Sequence, residues 1–107
     1  MRIPTKTSKY KAVRTTIDGI TFASQREANR YAELKLLVKA KTISDLRMQY
    51  AYIIAINGVH ICNYIADFRY IENGQVVVED AKGVRTPVYK LKKKLVEAAY
   101  NVKILEV

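Results

Sequence analysis

The sequence is poor in cysteine and histidine and has no long apolar run. Its one cysteine, Cys62, cannot form an internal disulfide, which indicates a reducing, intracellular environment. His60 is the one histidine, so it is a poor candidate for a zinc ligand or a general base. No stretch approaches the roughly 20 apolar residues of a membrane helix. The basic start lacks the apolar segment of a signal peptide, so we expect an intracellular protein with no membrane contact.

Acidic residues are also few, since 10 Asp and Glu face 19 Lys and Arg and leave a formal net charge of +9. Residues 1–14 and 82–94 carry basic side chains and no acidic ones. Clustered positive charge suits a nucleic-acid backbone, where counterion release drives binding. A basic surface that only maintains solubility is the alternative. The side chains that we expect to contact DNA are Lys9, Lys11, Arg14, Arg26, Arg30, Arg69, Arg85, Lys90, Lys92 and Lys93.

The 107 residues, half of them apolar, suffice for one domain with its own core. We therefore expect a single domain over residues 1–107, with residues 1–14 as a flexible or lightly docked basic arm. Because small chains bury a smaller share of their surface, and because twofold pairs are the commonest assembly, we also expect a homodimer.

The order of elements predicts a mixed α+β (or α/β) fold. Asp-Gly and Asn-Gly pairs mark tight turns, and Ser24 and Thr86-Pro87 mark helix starts. The three central strands then form an antiparallel meander within a mixed sheet, and two helices flank this sheet. The predicted elements are a hairpin (15–17 and 20–22), a helix (24 to about 40), strands 46–56, 60–70 and 76–81, a helix (87–100) and a strand (102–107).

The turn at Asn73-Gly74 fixes which residues of its two strands face one another. If these two residues form the loop, residue 72 pairs with 75, and continuing the register places Asp67 opposite Asp80. The Cβ atoms of such a pair lie about 4.5–5.5 Å apart. Lys82 follows Asp80 by two positions and therefore shares its face.

Two facing carboxylates among apolar neighbours are unfavourable unless a cation compensates them. Mg²⁺ suits this role, because it takes one or two carboxylates together with water and substrate phosphates. The alternative is a solvated surface cluster in which Lys82 pairs with Asp67 or Asp80. Apolar residues on both faces of the two strands favour a central, covered hairpin, and hence the metal site.

An aspartate on one strand followed by Asp80-Ala81-Lys82 on the next resembles the PD-(D/E)XK nuclease superfamily. Ala66 stands where the superfamily's name has proline, and Asp80 is one of the two acids that the motif allows. The chain also resembles a family of short phage and prophage proteins over about residues 9–105. That second resemblance rests on the segments Phe22–Glu27, Tyr64–Phe68 and Glu79–Pro87.

The resemblance implies a restriction-endonuclease-like core and hydrolysis of DNA that leaves 5′-phosphate and 3′-hydroxyl ends. Asp67, Asp80 and the carbonyl of Ala81 would bind Mg²⁺, for which Mn²⁺ would substitute. Glu27 would complete the metal's shell, and Lys82 would position the nucleophile. A phage-encoded enzyme of this kind would act in the host cytoplasm.

Four side chains near this motif have two interpretations each. Glu27 either caps its own helix from position N3 or faces the site from the middle of the apolar stripe. Lys92 either extends outward from an apolar stripe or contacts the scissile phosphate. Gln49 borders the site or the core. Glu79 falls on the opposite face near Phe68, which indicates a structural role.

The sequence therefore predicts a metal-dependent DNA endonuclease. The chain resembles Holliday junction resolvases, which cut branched DNA, in its small size, its positive charge and its expected homodimer. A nicking or restriction-like phage nuclease is an alternative within the same class. A non-catalytic nucleic-acid-binding module or a basic structural protein would explain the charge but not the predicted Asp67–Asp80 pair.

Overall fold

The computed structural model describes residues 14–81 and 84–107. It confirms the mixed α+β class, with two helices, a four-stranded mixed sheet and a two-stranded antiparallel sheet. The elements in chain order are β1 (Thr15–Ile17), β2 (Ile20–Phe22), α1 (Gln25–Lys39), β3 (Ser44–Ile56), β4 (Val59–Glu72), β5 (Gln75–Asp80), α2 (Pro87–Tyr100) and β6 (Ile104–Glu106). The predicted basic arm, except for Arg14, lies outside the described residues, as does Lys82.

Three strands differ from the prediction by two residues at one end. Strand β4 ends at Glu72 rather than Tyr70, because its pairing with β5 continues to the turn. Strand β3 begins at Ser44 rather than Leu46, because a register shift between Ser44 and Arg47 lets the strand continue past an irregularity. Strand β6 is shorter than expected, because it pairs only with Val78–Asp80 of β5.

Three two-residue turns fix the hairpin registers. In each turn both residues have positive φ, which is the backbone of a type I′ turn and requires Asn, Asp or Gly. The φ values are 54° and 75° for Asp18 and Gly19, 53° and 77° for Asn57 and Gly58, and 53° and 76° for Asn73 and Gly74. The predicted register from the last turn is confirmed for every pair from Glu72↔Gln75 to Phe68↔Glu79.

The larger sheet has the strand order β3-β4-β5-β6. Its first three strands form the predicted antiparallel meander, and β6 runs parallel to β5. Helix α2 makes the crossover that this parallel pairing requires. Its N-cap is Thr86, whose side chain accepts a hydrogen bond from the N–H of Tyr89, with proline in the first turn as predicted.

Two clusters of buried residues pack on the sheet. The α1 core joins helix α1 to the small β1–β2 hairpin and to the C-terminal part of β4. It includes Phe22, Ala28, Tyr31, Leu34, Phe68 and Tyr70. The α2 core joins helix α2 to β6 and to the far part of the β3–β4 hairpin, and it includes Tyr52, Ile54, Tyr64, Ala66, Val78, Val96 and Ile104.

Strand β4 changes from one core to the other at Asp67. Ala66 belongs to the α2 core and Phe68 to the α1 core, although residues two apart on a regular strand share a face. Opposite this point, between the pairs Met48↔Phe68 and Tyr50↔Ala66, lies Gln49 with a left-handed φ of 53°. A non-glycine residue in this conformation is strained, and such strain concentrates at functional sites.

Neither helix of the described residues is both long enough and apolar enough to cross a membrane.

Candidate functional site

Asp67 and Asp80 lie side by side on the two central strands of the large sheet. The backbone N–H of Asp67 donates to Oδ1 of Asp80 at 3.0 Å. The N–H of Ala81 donates to Oδ2 of Asp67 at 2.8 Å. These reciprocal contacts across β4 and β5 hold both carboxylates and the Ala81 peptide together, at the position that the hairpin register predicts.

The two carboxylates differ in exposure. Asp80 is fully buried, whereas Asp67 is half-buried. Burying a carboxylate is costly unless hydrogen bonds or opposite charges compensate it. Asp67 is therefore the more accessible residue of the pair, and Asp80 lies beneath the surface.

Glu27 reaches toward this pair from helix α1. Its backbone N–H donates to Oγ of Ser24 at 3.1 Å, which is the helix cap that the sequence predicts. Its carboxylate is buried, with 6% of the residue exposed, and Oε2 accepts a hydrogen bond from Nε2 of Gln49 at 2.9 Å. Glu27 is thus buried, as its place in the apolar stripe predicts, and its role at the site stays a prediction.

A pocket of about 240 Å³ is lined by Glu27 and Asp67, while Asp80 lies buried outside its lining. Glu27, Gln49 and Asp67 line it together with Ile20–Ala23 of the small hairpin. The sequence left Gln49 at the border of either the site or the core, and the structure places it in this pocket with Glu27 and Asp67. Its left-handed backbone lies at the point where β4 passes from one core to the other.

The chemistry of this donor set is that of a hard cation. Among residues 14–81 and 84–107, no three His, Cys, Asp or Glu side chains are grouped as metal ligands. Two carboxylates and a peptide carbonyl fit Mg²⁺, which completes its shell with water and substrate phosphates rather than with an all-protein cage. All of these donors are oxygen atoms, so the set does not suit zinc.

Tyr89 and Glu106 approach the pair from the α2 side. Glu106 is the register partner of Asp80 on the parallel strand β6. Its Oε2 accepts from the Tyr89 hydroxyl at 2.8 Å, and its Oε1 accepts from Nε of Arg85 at 2.6 Å. Three effects raise the pKa of Tyr89. Burial is the largest, the hydrogen bond to Glu106 is the second, and the nearby charge of Asp80 is the third.

The hydrogen bond from Arg85, followed by the one from Tyr89, lowers the pKa of Glu106 to about 2. Sequence reasoning missed both Tyr89 and Glu106. No sequence signal placed Glu106, because its position depends on a parallel pairing across a helical crossover, which no turn specifies.

Comparison with known families comes from one match. The family model described as "Protein of unknown function (DUF1064)" covers residues 7–106. The chain belongs to the DUF1064 family. No curated protein and no solved structure gives a significant match.

Glu79 of this DUF1064 chain has the structural environment that its position predicted. It lies opposite Phe68 and is 1% exposed. Its carboxylate accepts from Nε and Nη2 of Arg30, both at 2.7 Å, and from the Tyr70 hydroxyl. The Glu79 hydrogen bond raises the pKa of Arg30, and burial, followed by the Glu79 contact, raises that of Tyr70.

Most of the described basic residues expected to contact DNA also make contacts within the DUF1064 chain. Arg30 binds Glu79 and Glu33, and Arg69 contacts Asp45 and stacks over the Tyr50 ring. Arg85 and Lys93 bind Glu106, Arg26 donates to the Val107 carbonyl, and Lys92 donates to the Asn63 carbonyl. Arg14 and Lys90 are exposed. Lys9, Lys11 and Lys82 lie outside the described residues.

Lys92 was expected either to extend outward or to reach the site. Its Nζ lies 3.1 Å from the carbonyl oxygen of Asn63, on the part of β4 that precedes Asp67. Lys92 therefore donates to the backbone of β4, the strand that carries Asp67. Its role as a phosphate contact stays a prediction.

Proposed function

We propose that this DUF1064 protein is a metal-dependent DNA endonuclease of the PD-(D/E)XK type. The observation that carries the proposal is the pairing of Asp67 with Asp80 on adjacent central strands. The N–H of Asp67 donates to Asp80, and the N–H of Ala81 donates to Asp67. The buried Glu27, which lines a common pocket with Asp67, supports it. A protein that only bound nucleic acid would have no use for acidic side chains gathered in this way, since they repel phosphate.

Asp67, Asp80 and the carbonyl of Ala81 are the groups that would hold Mg²⁺, with Mn²⁺ as a substitute. When bound, the metal supplies a water of lowered pKa and stabilises charge on the phosphate. The N–H of Ala81 fixes the Asp67 carboxylate, and the N–H of Asp67 fixes that of Asp80. The ligand oxygens are thus oriented before DNA arrives, as effective catalysis requires.

Glu27 and Lys82 complete the proposed machinery. The amide of Gln49 holds the Glu27 carboxylate beside Asp67, where it can accept a proton or orient a water molecule. Lys82 follows Ala81 directly in the chain. We assign it the task of positioning the nucleophile, by its place in the motif.

The proposed substrate is DNA, with branched DNA as the preferred form. A net charge of +9 favours the phosphate backbone. A homodimer would present two sites to two strands, which is what the cleavage of a four-way junction requires. The single cysteine agrees with work in a reducing compartment, which would be the host cytoplasm for a phage-encoded enzyme.

A cleavage assay with three DNA substrates tests this proposal. Purified wild-type protein is incubated with a four-way junction, a linear duplex and a supercoiled plasmid, each with Mg²⁺, with Mn²⁺ or with EDTA. Asp67→Asn, prepared in parallel, controls for contaminating nucleases. We expect metal-dependent cleavage by the wild type alone, with the junction cut fastest and 5′-phosphate ends produced.

Other outcomes identify the alternatives. Equal cleavage of junction and duplex would support a nicking or restriction-like nuclease. DNA binding without cleavage under every metal condition would contradict the enzyme and leave a binding module. Cleavage that persists in EDTA, or in Asp67→Asn, would refute the assigned site.

A further inference from the structure

The far part of the β3–β4 hairpin extends beyond the helix that packs on it. We name residues 51–65 the hairpin arm. One face of the arm belongs to the α2 core through Tyr52, Ile54 and Tyr64. On the other face Ile53 is 57% exposed, Ile61 52% and Ile65 45%. Among the described residues, neither helix α1 nor the small hairpin contributes to a core on that face.

The hairpin arm has no formal charge. Residues 48–66 contain no Asp, Glu, Lys or Arg, in a chain whose remaining residues carry a net charge of +9. DNA is therefore not the occupant of this face, because a phosphate backbone binds where lysine and arginine are dense. Exposed apolar residues of this kind, here Ile53, Ile61 and Ile65 around the polar Asn63, mark interaction sites with other proteins.

The edge of the sheet carries no charged residue over the same stretch, where the Tyr100 hydroxyl donates to the Ile53 carbonyl at 2.7 Å. Strand β3 is the first strand of the order β3-β4-β5-β6 and pairs with β4 alone among the described strands. Its beginning carries a register shift and the charged residues Asp45 and Arg47, which discourage pairing of edge strands. From Met48 to Ile56 no charged residue continues this protection.

We infer that the hairpin arm is the surface through which two copies of this chain associate. Two copies that each carry +9 repel one another wherever basic surfaces meet. The arm itself adds no formal charge to such a contact, and Lys92 of α2 reaches it at the carbonyl of Asn63. A twofold axis places the same surface of each copy against the other, so rows of isoleucine from the two arms bury one another.

This contact would bring two candidate sites close to the twofold axis. Ile65 precedes Asp67 by two positions on β4, so the exposed apolar row ends beside the acidic pair. This consequence rests on the proposed nuclease function. Two sites near one axis suit the paired cuts of a branched substrate.

Sedimentation velocity over about 1–100 µM protein, a range that covers weak specific dimers, tests the interface. The wild type should shift from 12.2 kDa towards twice that mass as its concentration rises. Ile53→Asp and Ile61→Asp should each weaken association at least tenfold, because a carboxylate would be buried against its symmetry mate. Leu36→Asp, on an exposed residue of helix α1, is the matched control and should dimerise as the wild type does.

Ile53→Thr combined with Ile61→Thr tests the same surface if the aspartate variants fail to fold. Threonine keeps the β-branched shape that strands favour. The double variant should give the wild-type circular dichroism spectrum and a weaker dimer. A wild type that is monomeric at every concentration would overturn the inference, as would Ile53 and Ile61 variants that dimerise normally.

One further measurement identifies a different occupant of the face. A monomer that co-sediments with neutral phosphatidylcholine vesicles through Ile53 would replace the second copy with a lipid surface. That result would overturn the inference.

The interface and the proposed function fail in different ways. A dimer that loses its association in Ile53→Asp but cuts no DNA would support the interface and contradict the nuclease. A monomer that cuts DNA with Mg²⁺ would support the nuclease and contradict the interface.

Discussion

The backbone N–H of Asp67 donates to the side chain of Asp80, 13 positions later in the chain, at 3.0 Å. The return contact, from the N–H of Ala81 to the carboxylate of Asp67, measures 2.8 Å. Backbone N–H groups of the two strands thus fix one oxygen atom of each acidic side chain. Under the proposed function, a divalent cation would offset the repulsion between two carboxylates arranged in this way.

Gln49 positions Glu27, so its replacement should affect catalysis more than folding. Gln49→Asn keeps a residue type that tolerates the left-handed backbone but is too short to reach Glu27. We expect the rate of Mg²⁺-dependent cleavage to fall about 10- to 100-fold, as for other residues that orient metal ligands. Gln75→Asn, on an exposed residue, is the control and should cut at the wild-type rate. A Gln49→Asn protein with unchanged rate and unchanged Mg²⁺ dependence would remove Gln49 from the site.

Arg30 neutralises a buried acid, so its loss should reduce stability. Arg30→Met leaves Glu79, which is 1% exposed, without its guanidinium partner. Breaking a buried ion pair in this way costs about 3–5 kcal/mol of the free energy of unfolding. Urea denaturation measures it.

Glu33→Gln removes the other, exposed partner of Arg30 and is the control, with an expected change within about 0.5 kcal/mol. If Arg30→Met were as stable as Glu33→Gln and only bound DNA less tightly, Arg30 would be a DNA contact, as the sequence predicted, and not a structural residue.

Much of this arrangement follows from local sequence rules. Asn73-Gly74 specifies a turn whose register runs to Phe68↔Glu79 and thereby places Asp67 beside Asp80. Ser24 and Thr86 cap the two helices where predicted. Each of these features depends on a few neighbouring residues, so a single sequence reveals it.

The features that the sequence did not reveal depend on contacts between distant segments. The passage of β4 from one core to the other at Asp67, and the left-handed Gln49 opposite it, follow from how two helices cover a twisted sheet. The approach of Glu106 to Asp80 requires the crossover of α2. No local pattern encodes either.

Glu106 should contribute to stability in acid. Its pKa falls from an ordinary 4.5 to about 2 in the folded protein. A lowered folded pKa means that its contribution is present above pH 4.5 and is lost as the pH falls toward 2. The stability difference between wild type and Glu106→Gln, measured by urea unfolding, should therefore shrink over this interval.

Arg85 is the largest cause of this shift, so Arg85→Gln should raise the pKa of Glu106 toward 4.5. An NMR titration of the side-chain carboxyl carbon reads this directly. Lys94→Gln, on an exposed residue of the same helix, should leave the titration unchanged. A Glu106 midpoint near 4.5 in the wild type would contradict the assigned network.

The rate of single-turnover cleavage by Asp80→Asn tests the central claim most directly. Asp45→Asn is the matched control, because it makes the same chemical change at an exposed position where asparagine suits the left-handed backbone. With Mg²⁺ in excess and DNA binding measured in parallel, we predict that Asp80→Asn binds DNA but does not cut it, while Asp45→Asn cuts at the wild-type rate. Cleavage by Asp80→Asn at the rate of Asp45→Asn would contradict the assignment of Asp67 and Asp80 as the active site.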